Sequence, residues 1–150
     1  MIILDTNVLS ALMRTRPDEE VAAWLDHQSA QSVWITAITV FEAHFGISLL
    51  APGRRRRQLE SAFNKVLRED LEGRVLDFDQ ASAERAATLA AERQRTGRLV
   101  DFRDTQIAGI ALSRHGTLAT RNTKHFEDLS VPVINPWESH RKRDRWPPIA

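Results

Sequence analysis

The chain has 150 residues, 42% of them hydrophobic and 27% charged, with a formal net charge of +1. That length fits one domain with a real core, and the near-neutral balance supplies no global field for gathering nucleic acid. Cysteine and tyrosine are absent, which excludes disulfides, thiolate zinc sites and nucleophiles of either type.

Residues 2–5 predict a strand, Ile2-Ile3-Leu4 closing on Asp5, and residues 7–13 a short helix ending before Pro17. Asp18 can cap a second helix to about His27, with Val21, Trp24 and Leu25 on one face. Val33 to Thr36 reads as a strand, residues 40–50 as an apolar helix stopped by Pro52-Gly53, and residues 54–71 as a helix carrying Leu59, Phe63, Val66 and Leu67. Gly73 ends it, Val75 to Phe78 is β-like, and residues 80–96 form an alanine-rich helix to Gly97. Residues 102–114 predict a helix with Phe102, Ile107, Ile110 and Ala111 inward. Thr117 to Thr120 is a strand, 123–128 a helical turn, and Val131 to Ile134 the last strand. Strands alternating with helices predict an α/β fold with a mostly parallel sheet covered on both faces. The expected domain runs to residue 138, followed by a basic, frayed tail over 139–150. The basic runs Arg54–Arg57 and Arg141, Lys142, Arg143, Arg145 read first as solvated charge. No signal-peptide pattern or membrane-length apolar run is present, so a soluble cytoplasmic protein is expected.

The acids carry the chemistry. Asp5 stands at the carboxyl end of a buried strand, where open α/β sheets bind ligands, and it also suits a helix cap. Glu42 closes a Thr39-x-x-Glu42 capping-box pattern, yet its neighbours Ala37, Ile38, Val40, Phe41, Ala43 and Phe45 are apolar company for a simple cap. Asp101 is placed as an N-cap and Asp104 in the following first turn. Asn122 follows the strand at 117–120, and Asp128 reads as a helix-end or surface residue. An α/β topology tends to gather Asp5, Glu42, Asp104 and Asn122 on one edge. Carboxylates brought that close repel unless a cation intervenes, and an all-oxygen set suits Mg²⁺ or Mn²⁺.

The segments Ile3-Leu4-Asp5-Thr6-Asn7-Val8, Ile38-Thr39-Val40-Phe41-Glu42-Ala43-His44-Phe45-Gly46, Asp104-Thr105-Gln106-Ile107-Ala108 and Leu118-Ala119-Thr120-Arg121-Asn122 occur in order, with Val133-Ile134-Asn135-Pro136-Trp137-Glu138 at the end. On these segments the chain resembles the PIN-domain ribonucleases, specifically VapC-type toxins of the FitB-like branch. The resemblance covers residues 1 to about 138. It implies a three-layer α/β/α domain and a Mg²⁺- or Mn²⁺-dependent endoribonuclease, commonly the toxin of a toxin–antitoxin pair. Asp5, Glu42 and Asp104 fall on the family's acidic, metal-holding positions. Asn122 falls where many relatives carry a fourth acid, which weakens a second metal position. Thr6 matches a supporting hydroxyl residue, and Asn7 helps order the site. A homodimer is implied, as is an antitoxin whose tail enters the acidic groove. Arg121, Lys124 and His125, beside Asn122, are placed to hold RNA phosphates. His44 and His115 read as helix residues near the core. The tryptophans read mainly as core, with Trp137 the candidate for an interface. The competing reading is a PIN-like module that binds nucleic acid or protein without cutting.

Overall fold

A computed structural model describes residues 1–138; the basic tail expected over 139–150, with Trp146, lies outside the described residues. Five strands, β1 (Ile2–Leu4), β2 (Val33–Thr36), β3 (Val75–Leu76), β4 (Thr117–Ala119) and β5 (Val133–Ile134), form one sheet in the order β3-β2-β1-β4-β5. Every pairing is parallel, with Ile3 opposite Trp34 on one side and Leu118 on the other. The helices are α1 (Thr6–Leu12), α2 (Glu19–Asp26), α3 (Ala37–Ser48), α4 (Arg54–Lys65), α5 (Gln80–Arg95) and α6 (Phe102–Arg114). A short 3₁₀ turn covers Thr123–Phe126.

Successive strand residues face opposite ways, so a sheet this apolar needs cover on both sides. Leu4 and Ala119 join Val8, Leu9, Val21, Trp24 and Phe63 in one core. Their neighbours Ile3 and Leu118 join Leu89, Ile107, Ile110 and Phe126 in the other. The expected three layers are present, and β1 lies at their centre. No helix among the described residues is long and apolar enough to cross a membrane.

Three local expectations are corrected. The third helix begins at Ala37 rather than 40, because Thr36 caps it, its hydroxyl accepting from the Thr39 N–H at 3.1 Å. The fourth stops at Lys65 and loosens into a π-turn over Val66–Asp70 before Gly73, whose φ of 72° is the left-handed backbone glycine tolerates. Phe102, expected inward, is 77% exposed. His115, which caps the end of α6, takes the left-handed conformation, and a Cβ at Gly116 would lie 2.8 Å from the Ile3 side chain. His115 and His44 are exposed, and His44 lies near the core, its ring meeting the buried Phe63 edge-on with centroids 4.9 Å apart.

Candidate active site

Asp5 ends β1 and caps α1. Its Oδ1 accepts from the Thr6 N–H at 2.8 Å, and its Oδ2 accepts from the Thr120 hydroxyl at 2.8 Å and the Asn7 amide at 3.2 Å. The carboxyl is almost wholly buried, which costs the charged form dearly. Burial pushes its pKa up to about 6 against the pull of the Thr120 and Thr6 hydrogen bonds, and repulsion from Asp104 and Glu42 adds to the rise.

Glu42 projects from α3, one turn beyond the buried Thr39. It does not close a capping box, because Thr36 is the cap. Instead its Oε1 accepts from the Thr6 hydroxyl at 2.9 Å, and Thr6 also meets the Thr39 hydroxyl at 3.1 Å. Partial burial raises its pKa; the Thr6 bond and Arg103 oppose this, while Asp104 and Asp101 reinforce it. Asp101 caps α6 as expected, accepting from the Arg103 N–H at 2.7 Å. Asp104, in the next turn position, has the His125 ring Nδ1 at 2.9 Å from Oδ2.

The middle of α3, the first turn of α6 and the end of the central strand thus bring Asp5, Glu42 and Asp104 within mutual electrostatic reach. Thr6 and Asn7 both touch this network. Asn7 also accepts from the Arg121 N–H at 3.1 Å and donates to the Thr120 hydroxyl at 3.2 Å. Asn122 enters through its backbone, its N–H donating to Thr120 at 3.0 Å, and its side chain lies on the exposed rim. Lys124 and His125 are exposed beside it. The Arg121 guanidinium turns the other way, 4.9 Å from the centre of the Trp137 ring. Trp137 is half-buried, donating its indole N–H to Asp18 at 3.0 Å, and Trp24 is core.

Three participants were not expected. Thr120 lies inside a quoted segment but reads as strand. Arg103, between two acids, places Nη1 3.9 Å from Glu42 Oε2 and offers a fixed positive charge at the rim. Asp128 is no free surface acid: Arg93 grips it at 2.9 Å from both Nε and Nη2, which holds its carboxyl below the usual range.

Mutually repelling oxygen donors suit a hard divalent cation. Among the described residues no group of three or more acidic or histidine side chains stands close enough together to hold a metal ion.

The PIN domain family profile matches residues 2–132. The chain belongs to the PIN-domain family. It is 38% identical to VapC ribonuclease Y4jK of Sinorhizobium fredii over 92% of this chain and 99% of that protein. It is 36% identical to toxin FitB of Neisseria gonorrhoeae over 91% of this chain and 99% of that one. A solved structure of FitAB bound to an IR36 DNA fragment superposes with a TM-score of 0.82 at 36% identity, covering 91% of this chain and 96% of that one. The PIN fold here therefore carries its acids on three separate elements meeting at the carboxyl edge of β1.

Proposed function

We propose that this PIN domain is a Mg²⁺- or Mn²⁺-dependent endoribonuclease and the toxin half of a toxin–antitoxin pair. One observation carries the reading: Asp5 is buried within electrostatic reach of Glu42 and Asp104 at the carboxyl edge of the central strand, at a cost to the fold that a bound cation would offset. The naming of similar proteins as a VapC ribonuclease and a FitB toxin supports the choice of RNA and of toxin.

Asp5, Asp104 and Glu42 would hold the ion. Bound there, it would supply an acidified water and an electrostatic partner for phosphoryl oxygens. Thr120, Asn7 and the Thr6 N–H keep Asp5 aimed, and Thr6 with Thr39 does the same for Glu42. Asn122 stands at the rim to orient a water or a phosphate and adds no charge. Lys124 and His125 offer donors to the RNA backbone, where most nucleic-acid hydrogen bonds fall. Arg121 gives its N–H to Asn7, and its exposed guanidinium beside Trp137 is a further donor for a phosphate.

Purified protein should cut total cellular RNA with Mg²⁺ or Mn²⁺, stop in EDTA, and stop in Asp104→Asn. Folded protein, free of co-purified inhibitor, that binds RNA without cutting it under either metal would favour the binding-module reading.

Phe41 and Phe45 stack on each other, centroids 5.9 Å apart, while remaining 57% and 48% exposed. Leu49, Leu99 and Phe102 are further large apolar side chains left in water. We assign this surface to the homodimer, and the acidic groove to a cationic side chain of the antitoxin tail. Light scattering should report a dimer for the parent and a monomer for Phe45→Glu; two equal masses would reject the assignment.

A further inference from the structure

Three elements meet at one buried guanidinium. Arg93, in the last turn of α5, is only 3% exposed. Its Nε and Nη2 donate to Asp128, each at 2.9 Å, in a two-pronged pair. Its Nη1 donates to the Thr105 hydroxyl at 2.8 Å, and Nη2 also reaches the His125 carbonyl at 2.6 Å. All three nitrogens are used. A buried ion pair is a poor device for stability alone, since apolar residues of similar volume often do as well.

The identity of the acceptors gives the arrangement its meaning. Thr105 directly follows Asp104 in α6. The accepting carbonyl belongs to His125, whose ring meets Asp104 at 2.9 Å. Arg93 therefore holds both sides of the Asp104–His125 contact. A second arginine just past α5 works on the same turn: Arg98 donates to the Lys124 carbonyl and lies 3.6 Å from Glu127 and 3.8 Å from Asp128. The exposed turn bearing Lys124 and His125 is thus fastened from beneath by the end of α5.

We propose that Arg93, paired with Asp128, is a positioning residue that sets the Lys124–His125 turn against Asp104. It touches neither RNA nor metal. For activity the proposal rests on the nuclease reading; for geometry it does not. Lysine keeps the charge but offers a single ammonium, which cannot span acceptors on three elements as the planar fork does.

The test compares Arg93→Lys and Asp128→Asn with the parent and with Val21→Ala, a core truncation in the opposite layer chosen to lower stability without touching the turn. Two quantities are read on full-length protein, well below the lowest melting temperature. One is the set of nuclear Overhauser contacts from the His125 ring protons to the Asp104 and Thr105 side chains. The other is kcat for RNA cleavage. Arg93→Lys and Asp128→Asn should weaken or lose the His125 contacts and lower kcat by about 10- to 100-fold, the range typical of residues supporting a metal site from behind. Val21→Ala should keep both. The double variant should lose little more than the worse single one. Unchanged His125 contacts in a folded Arg93→Lys protein would overturn the proposal, as would an equal kcat loss in Val21→Ala. Parent protein that cuts no RNA would sink the nuclease reading alone, because the His125 contacts still decide the positioning role.

Discussion

Asp5→Asn should give a more stable protein that no longer cuts RNA. The carboxyl titrates near pH 6 in the fold against an ordinary 3.8, because burial penalises its charge. The native state therefore holds this proton more tightly than the unfolded chain does. That contribution to stability is complete below about pH 4 and is lost as pH rises through about 6. At pH 7 the ionised, metal-free carboxylate costs the fold on the order of 3 kcal/mol. Asparagine removes the charge. Its amide cannot accept where Thr120 and Asn7 donate, which returns on the order of 1 kcal/mol of the gain. The expected net is about 1–2 kcal/mol in EDTA at pH 7, or a rise of a few degrees in Tm. The advantage should vanish below about pH 4, where the parent carboxyl is protonated. Adding Mg²⁺ or Mn²⁺ should stabilise the parent and not the variant. Cleavage should fall by roughly 10³-fold, the loss of about 4 kcal/mol of transition-state stabilisation. Calorimetry in EDTA and in Mg²⁺, beside an RNA assay, checks all of this. A variant less stable at pH 7 that still cuts would contradict both halves.

Gly109→Ala should be among the most damaging single-methyl changes in the chain. A Cβ at this position of α6 would lie 2.5 Å from the Ser82 carbonyl oxygen, 2.6 Å from the Ala86 Cβ and 2.9 Å from the Ala86 nitrogen. Two of these are backbone atoms of α5, which cannot swing aside like a side chain. The helices would have to part. The Ser82–Ser113 hydroxyl contact at 3.0 Å would stretch, and Arg93, two turns beyond Ala86, would draw away from Thr105. Overpacking of this kind costs about 3 kcal/mol, a large share of the roughly 5–15 kcal/mol that holds a domain together. Denaturant melts should show the loss, and Ala86→Gly in the same chain should restore only part of it because the Ser82 carbonyl stays. Gly46→Ala is the contrast. Nothing lies within 4 Å of a Cβ there, and this position in α3 should gain up to about 1 kcal/mol from helix propensity. A Gly109→Ala melt matching the parent would mean that α5 and α6 do not pack this closely.

What the sequence reveals and conceals follows the range of the interactions. Asp101 and Asp104 were legible because capping and first-turn charge are local. Asp5 was legible because three apolar residues and an acid describe a strand end. The start of α3 was not: Thr36 and Thr39 are both hydroxyl residues three positions before a polar partner, and only packing chooses the earlier one. Phe102 was misjudged because five residues separate it from Ile107, about 140° around a helix at 3.6 residues per turn. The Arg93–Asp128 pair spans 35 positions and leaves no local trace. The same holds for Arg121 on Trp137, whose closeness comes from β4 and β5 lying side by side. The acids could be named one at a time; that they oppose one another depends on strand order, which no local pattern encodes.

The central place of β1 has a consequence for synthesis. Of the five strands, β1 comes earliest in the sequence, yet β4, one of its two neighbours, comes fourth. The Asp5 N–H donates to the Ala119 carbonyl at 2.9 Å, and its carboxylate is held by Thr120, 115 positions later. Until that late segment emerges, one edge of β1 stays unpaired and Asp5 remains an ordinary solvated acid. A chain interrupted anywhere before residue 120 lacks the strand that completes β1 and the hydroxyl that holds Asp5, so the candidate site assembles only after that late segment has been made.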